Sequence, residues 1–123
     1  MALFDTTGFR ILEQGMSIVN QSQSVIANNI ANQDTPGYKC QYVLFSGVLE
    51  DKLNATKETV YKKQLNLYST VYTDNTTNDQ ADGNNVDTDT QEALFAKNAL
   101  LYEALLNQMN SEFNLMRTAM SRT

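Results

Sequence analysis

The sequence predicts a mainly α fold in which long N- and C-terminal helices pair as a coiled-coil-like hairpin, with an irregular or small β segment between them. Three observations lead there. Apolar residues recur every three or four positions over residues 7–32, and they do so again without a break over residues 95–120. The stretch between is largely polar, with short runs rich in Tyr, Val and Thr. The 123 residues divide accordingly into an N-terminal helical segment at 1–34, a turn, extended and loop segment at 35–86, and a C-terminal helical segment at 87–123, which together make one structural unit.

The first helix is defined by Leu12, Met16, Val19, Ile26 and Ile30, one apolar seam interrupted at Gln23. At 1.5 Å per residue it is about 40 Å long. Gly8 and Gly15 weaken its first half, so order there depends on packing against a partner. Its far end, Ala27-Asn28-Asn29-Ile30-Ala31-Asn32, runs into Gln33-Asp34-Thr35-Pro36-Gly37-Tyr38, which contains the only proline in the chain. Each Asn costs about 0.5 kcal/mol relative to Ala in a helix interior, because its amide competes for nearby backbone groups. Asn28 and Asn32 stand four apart on one face beside the small Ala27 and Ala31, which suits amide bonds to a neighbouring chain. A frayed helix end is the plain alternative. Pro36 drives Thr35 out of the α region, and Pro36-Gly37 supplies the centre of a type II turn leading to Tyr38, so the helix stops between Asn32 and Asp34.

Residues 38–45 read as extended, with Tyr42 and Leu44 on one face and Val43 and Phe45 on the other. Residues 48–53 suit a short turn of helix. Leu65, Leu67 and Val71 at even spacing make residues 60–73 one or two strands with a kink. Residues 74–85 contain no large apolar residue and are expected to form a mobile loop. Asn78, Gln80, Asp82 and Gly83 follow the opening of a calcium loop, but Gln80 is a poor ligand there and the twelfth position is Asp89 instead of Glu, so no metal is expected.

The second helix carries Phe95, Ala99, Tyr102, Leu106, Met109, Phe113, Met116 and Met120 in an unbroken 4-3 alternation, the pattern of a coiled-coil seam. Leu94, Leu101, Leu105 and Leu115 widen it into a second stripe. Thr88 with Gln91 offers a capping box. Asp87, Asp89 and Glu92 lie at the positive end of the helix dipole, while Arg117 and Arg122 lie at the negative end. A hairpin alone explains part of this. The rest of the chain holds too little apolar material to cover both stripes, which points to self-assembly or a partner.

Composition excludes several classes of function. With 14 acids against 9 bases and a net charge of −5, there is no basic stripe for a nucleic acid. No apolar run approaches the ~20 residues of a membrane span, so the chain is not expected to be transmembrane. Met1-Ala2-Leu3-Phe4-Asp5 lacks the basic start and long apolar stretch of a cleaved signal peptide. Without histidine, and with Cys40 as the single cysteine, the usual nucleophile-base pairs, His-containing metal sites and internal disulfides are out of reach. No catalytic residue, cofactor, metal or small-molecule substrate is expected.

Residues 26–39, Ile-Ala-Asn-Asn-Ile-Ala-Asn-Gln-Asp-Thr-Pro-Gly-Tyr-Lys, resemble the N-terminal motif of the bacterial flagellar rod and hook axial proteins. The run Asp82-Gly83-Asn84-Asn85-Val86-Asp87-Thr88-Asp89, followed by Glu92 and Asn98-Ala99-Leu100-Leu101-Tyr102, resembles the C-terminal motif of the proximal rod branch of that family. The resemblance implies a non-enzymatic axial protein of the flagellar basal body, exported unfolded by the flagellar type III apparatus without a cleaved signal peptide. It implies helical self-assembly with other copies and with other rod proteins, next to inner-membrane ring and export-gate proteins, in a shaft that transmits torque. The assembly interface is then Leu12, Met16, Val19, Ile26 and Ile30 with Phe95, Tyr102, Leu106, Met109, Phe113, Met116 and Met120. Asn28, Asn29 and Asn32 would set register between subunits. Thr35, Pro36, Gly37 and Tyr38 would turn the chain out of the tube, and Gly83, Asn84, Asn85, Val86 and Asp87 would lead into the second helix. A sibling proximal rod subunit and a type III secreted coiled-coil interaction protein are the alternative readings.

Overall fold

The computed structural model describes residues 7–47, 67–76 and 80–121. In chain order it contains helix α1 (Thr7–Ala31), strands β1 (Gln41–Gly47) and β2 (Leu67–Thr73), and helix α2 (Thr88–Ser121). The expected helical turn at 48–53 and the first part of the expected strand region, 60–66, lie outside the described residues.

α1 ends where the Asn-rich run meets the turn. The Tyr38 N–H donates to the Thr35 carbonyl at 3.2 Å, and Gly37 takes φ 70°, as the third residue of a type II turn requires. The two helices then pack antiparallel. Phe9 meets Phe113 edge to face with ring centroids 4.8 Å apart. A Cβ on Gly15 would sit 3.7 Å from Leu105. Further along, Asn98 bonds the Val19 carbonyl and Asn29 bonds Gln91, so one register holds along the hairpin.

β1 and β2 form an antiparallel ribbon in which Tyr42 faces Tyr72 and Val43 faces Val71. The ribbon is tied to α1 by two glutamines a heptad apart. Gln14 Oε1 accepts the Leu67 N–H at 2.9 Å, and Gln21 Oε1 accepts the Ser69 hydroxyl. The apolar core among the described residues is small: Ile18, Val19 and Ile26 of α1, Cys40 before β1, and Val86 before α2. No helix among the described residues is long and apolar enough to cross a membrane.

Three expectations are corrected. Residues 80–85 are not a loose loop, because Asn84 and Asn85 are buried and bonded on several sides. The α2 cap is Asp87, not Thr88: its carboxylate accepts the N–H groups of Asp89 (3.2 Å) and Thr90 (3.4 Å) and the Thr90 hydroxyl. The Gln91 side chain therefore makes no capping box and turns into the core, while the Thr88 hydroxyl donates to Gln33 Oε1 at 2.7 Å. Lastly, the α2 line that faces α1 in the first half of the hairpin is Gln91, Leu94, Asn98 and Leu105, one step round from the expected Phe95–Tyr102–Leu106 seam.

Candidate functional site

Two structures stand out: a cluster of side-chain amides at the turn end of the hairpin, and an apolar line on the outside of α2. The first begins with Asn29, which is fully buried. Its Nδ2 donates to the Gln41 carbonyl (2.7 Å) and to Gln91 Oε1 (2.9 Å). Its Oδ1 accepts the Gln41 N–H (3.0 Å) and the Tyr38 hydroxyl (3.2 Å). Two donors and two acceptors are all that an Asn amide possesses. Asn29 thus has nothing left for a neighbouring subunit, and its expected role between subunits is corrected to a clamp within the chain.

Asn84, also fully buried, closes the end of α1. Its two Nδ2 hydrogens are shared among the carbonyls of Asn32 (3.0 Å), Gln33 (2.9 Å) and Thr35 (2.9 Å), one of them bifurcated, and its Oδ1 accepts the Val86 N–H at 2.7 Å. Carbonyls in the last turn of a helix have no partner along the helix, so a side chain from residue 84 does what a local C-cap does elsewhere. Asn85 bridges the ribbon in the same way: Oδ1 accepts the Cys40 N–H (2.6 Å) and Nδ2 donates to the Asp74 carbonyl (2.9 Å). Gly83 reaches φ 84°, which positions this pair, and the Gly37 N–H donates to the Asp82 carbonyl at 3.1 Å.

On the α2 side, Gln91 accepts from Asn29 and donates Nε2 to Cys40 Sγ at 3.4 Å. One heptad on, Asn98 Nδ2 donates to the Val19 carbonyl and to Gln23 Oε1, both at 2.8 Å. Among the described residues no buried side-chain nitrogen or oxygen lacks a partner, so the cluster avoids the cost of about 1–3 kcal/mol for each unsatisfied group. Burial pushes the Cys40 thiol up, and the nearby Asp74 charge adds to this, against the hydrogen bonds from Tyr42 and the Gln41 backbone. Tyr42, bonded to Cys40 and partly desolvated, is pushed up to about 12. The Thr90 bonds hold Asp87 below the usual carboxylate range.

The sequence-predicted residues therefore separate. Val19 and Ile26 are buried inside the hairpin, and Leu12, Met16 and Ile30 are half-buried. Met109 and Met116 are half-buried on α2, whereas Phe95, Tyr102 and Leu106 stay 39%, 40% and 41% exposed, with Phe113 and Met120 also exposed. Asn32 is half-buried and bonds locally, donating to the Asn28 carbonyl at 2.8 Å and accepting the Thr35 hydroxyl at 3.2 Å. Asn28 is exposed between exposed Ala27 and Ala31. Thr35, Pro36 and Gly37 are exposed, Tyr38 and Gly83 half-buried, and Asn84, Asn85 and Val86 buried. Gln91 and Asn98 were not among the expected site residues. Their signal was the heptad Gln91, Leu94, Asn98, Leu101, Leu105, in which two amides occupy seam positions.

The geometry joins the two sequence motifs: residues 29–41 receive residues 82–91 through the amides. The flagella basal body rod protein family model matches residues 9–39, which span most of α1 and its turn, and this sets the class. The flagellar basal body rod protein FlgB of Bacillus subtilis (strain 168) is 37% identical, covering 98% of both chains. Its namesake in Aeromonas hydrophila is 32% identical over 93% of this chain and 92% of its own. That of Escherichia coli (strain K12) is 29% identical over 87% and 88%. The chain belongs to the FlgB family of flagellar basal body rod proteins, and is a structural component of that rod.

Proposed function

We propose that the chain is a non-enzymatic subunit of the proximal rod, assembling helically with other copies of itself and with other rod proteins beside the inner-membrane ring and export gate, and transmitting torque. It reaches that place through the flagellar export apparatus. The inversion of α2 is the main support: its buried line carries Gln91 and Asn98, while Phe95, Tyr102 and Leu106 point partly to solvent. An isolated hairpin gains nothing from this arrangement. Covering the outer line by a neighbour gains about 25 cal/mol per Å² of apolar area.

The interface comprises that line with Phe113 and Met120, joined by the half-buried Met109, Met116, Leu12, Met16 and Ile30, around the in-chain core of Val19 and Ile26. Methionine at these positions adapts its shape to neighbours that differ along the rod. The register-setting amide is Asn28, whose flanking alanines allow a second backbone to come close. Deleting the chain should leave the inner-membrane ring intact and abolish the rod. The variant Tyr102→Glu/Leu106→Glu should be exported and folded but should not restore rods. Intact rods in the deletion strain overturn the functional reading, and normal motility in the double variant overturns the interface.

A further inference from the structure

α1, β1 and α2 enclose an open groove of about 270 Å³. Val25 and Ile26 of α1, Phe45 of β1, and Leu94 and Leu101 of α2 line it. Phe45 is 62% exposed and Leu101 44% exposed, so the rims are apolar surface turned toward solvent. One end of the groove borders the turn end of the hairpin. There Asp34, Asp82, Asp87, Asp89 and Glu92 are all exposed. Lys97 is the one charged residue among those lining the groove.

The other end of the molecule has the opposite character. α2 continues past Phe113, the partner of Phe9 near the start of α1, as far as Ser121. After Glu112 the sequence contains no acid and two bases, Arg117 and Arg122. Within this part Leu115 is 64% exposed and Arg117 is exposed. The same molecule thus carries an apolar groove beside an acidic end, and an apolar helix end with basic charge.

We propose, building on the rod reading, that the groove receives the last turns of α2 from a second copy. Leu115 of that copy enters between Phe45 and Leu101, and its basic end lies toward the acidic turn. The two surfaces are different patches, so the contact is heterologous: each copy offers one groove and one helix end. Repeating it produces an open, polar, head-to-tail row instead of a closed dimer. Opposite charges at the two ends favour this direction over tail-to-tail approach, which would bring like charges together.

The test is cross-linking in isolated basal bodies from cells whose only copy of the chain carries Phe45→Cys and Leu115→Cys, with each single variant as a control. Cys40 is buried and provides the background. A bis-maleimide should give a ladder of dimers, trimers and longer chains in the double variant, and no ladder in either single one. Assembled rods that yield no cross-link overturn the proposal, as do rods cross-linked only between two Leu115→Cys positions. In either case the rod itself is present, so the functional reading stands apart from the groove contact. Leu115→Asp, whose exposed position leaves the hairpin undisturbed, should abolish rods while the secreted amount is unchanged, and normal rods in that variant contradict the contact.

Discussion

The turn end of the hairpin and its shaft are stabilised by different means. At the turn end, Asn29, Asn84, Asn85 and Gln91 are buried and every amide is hydrogen-bonded within the chain. Along the shaft, large apolar side chains of α2 remain exposed, and the buried apolar residues of α1 are few. The turn end is complete in one molecule. In the proposed rod contact the shaft is completed by neighbours that cover it, because exposed leucine and aromatic surface is stabilised by burial.

Breaking the turn end should have the largest effect on the free chain. Asn84→Ala leaves the carbonyls of Asn32, Gln33 and Thr35 and the Val86 N–H without this partner. It should cost about 3 kcal/mol in denaturant unfolding. A change within about 0.5 kcal/mol would mean that water replaces the side chain without loss.

The adjacent pair Asn28 and Asn29 sharpens the contrast. Asn29→Leu removes four bonds within the chain and should destabilise it by about 2–3 kcal/mol, while Asn28→Leu should change stability by under about 0.5 kcal/mol. In cells the order reverses in kind. Asn28→Leu should give a folded, exported subunit that assembles poorly, and Asn29→Leu one that is poorly folded before assembly begins. Equal stabilities for the two variants would refute the division of roles.

Alkaline pH should act on the turn end by a smaller, graded effect. Cys40 and Tyr42 both have raised pKa values in the folded chain. Their stabilising contribution is therefore full below the unfolded values, about 8.5 for a thiol and 10 for a phenol, and is lost as pH rises through the folded ones. The denaturant midpoint should fall progressively above the thiol range, and Tyr42→Phe should reduce the upper part of that fall, leaving the share of Tyr38, which burial also pushes up. On the acid side Asp87 acts oppositely: its lowered pKa makes the cap effective above the usual carboxylate range and weakens it as pH falls through the folded value.

Much of this was legible in the residues. Periodicity gave α1 as residues 7–32 against the observed Thr7–Ala31, and the Pro36-Gly37 turn followed from backbone restrictions alone. The alternation in residues 42–45 gave the strand, though not its pairing with β2, because partner choice depends on contacts between segments far apart in sequence. The amide cluster was not legible. Asn84 and Asn85 sit in a stretch without large apolar residues, and polarity alone reads as exposure. Burial of an amide depends on whether distant carbonyls arrive to meet it, which local composition does not encode. The same effect displaced the α2 seam. Apolar counting favoured Phe95–Tyr102–Leu106, and hydrogen bonding turned Gln91 and Asn98 inward instead.

Hydrogen exchange measured on the free chain and on assembled rods tests the division between turn end and shaft most directly. Backbone amides near Asn29, Cys40 and Val86 should be protected in both states, whereas those of α2 from Phe95 to Met120 and the first half of α1 should gain protection only in the rod. Equal protection of the two regions in the dilute free chain would contradict it.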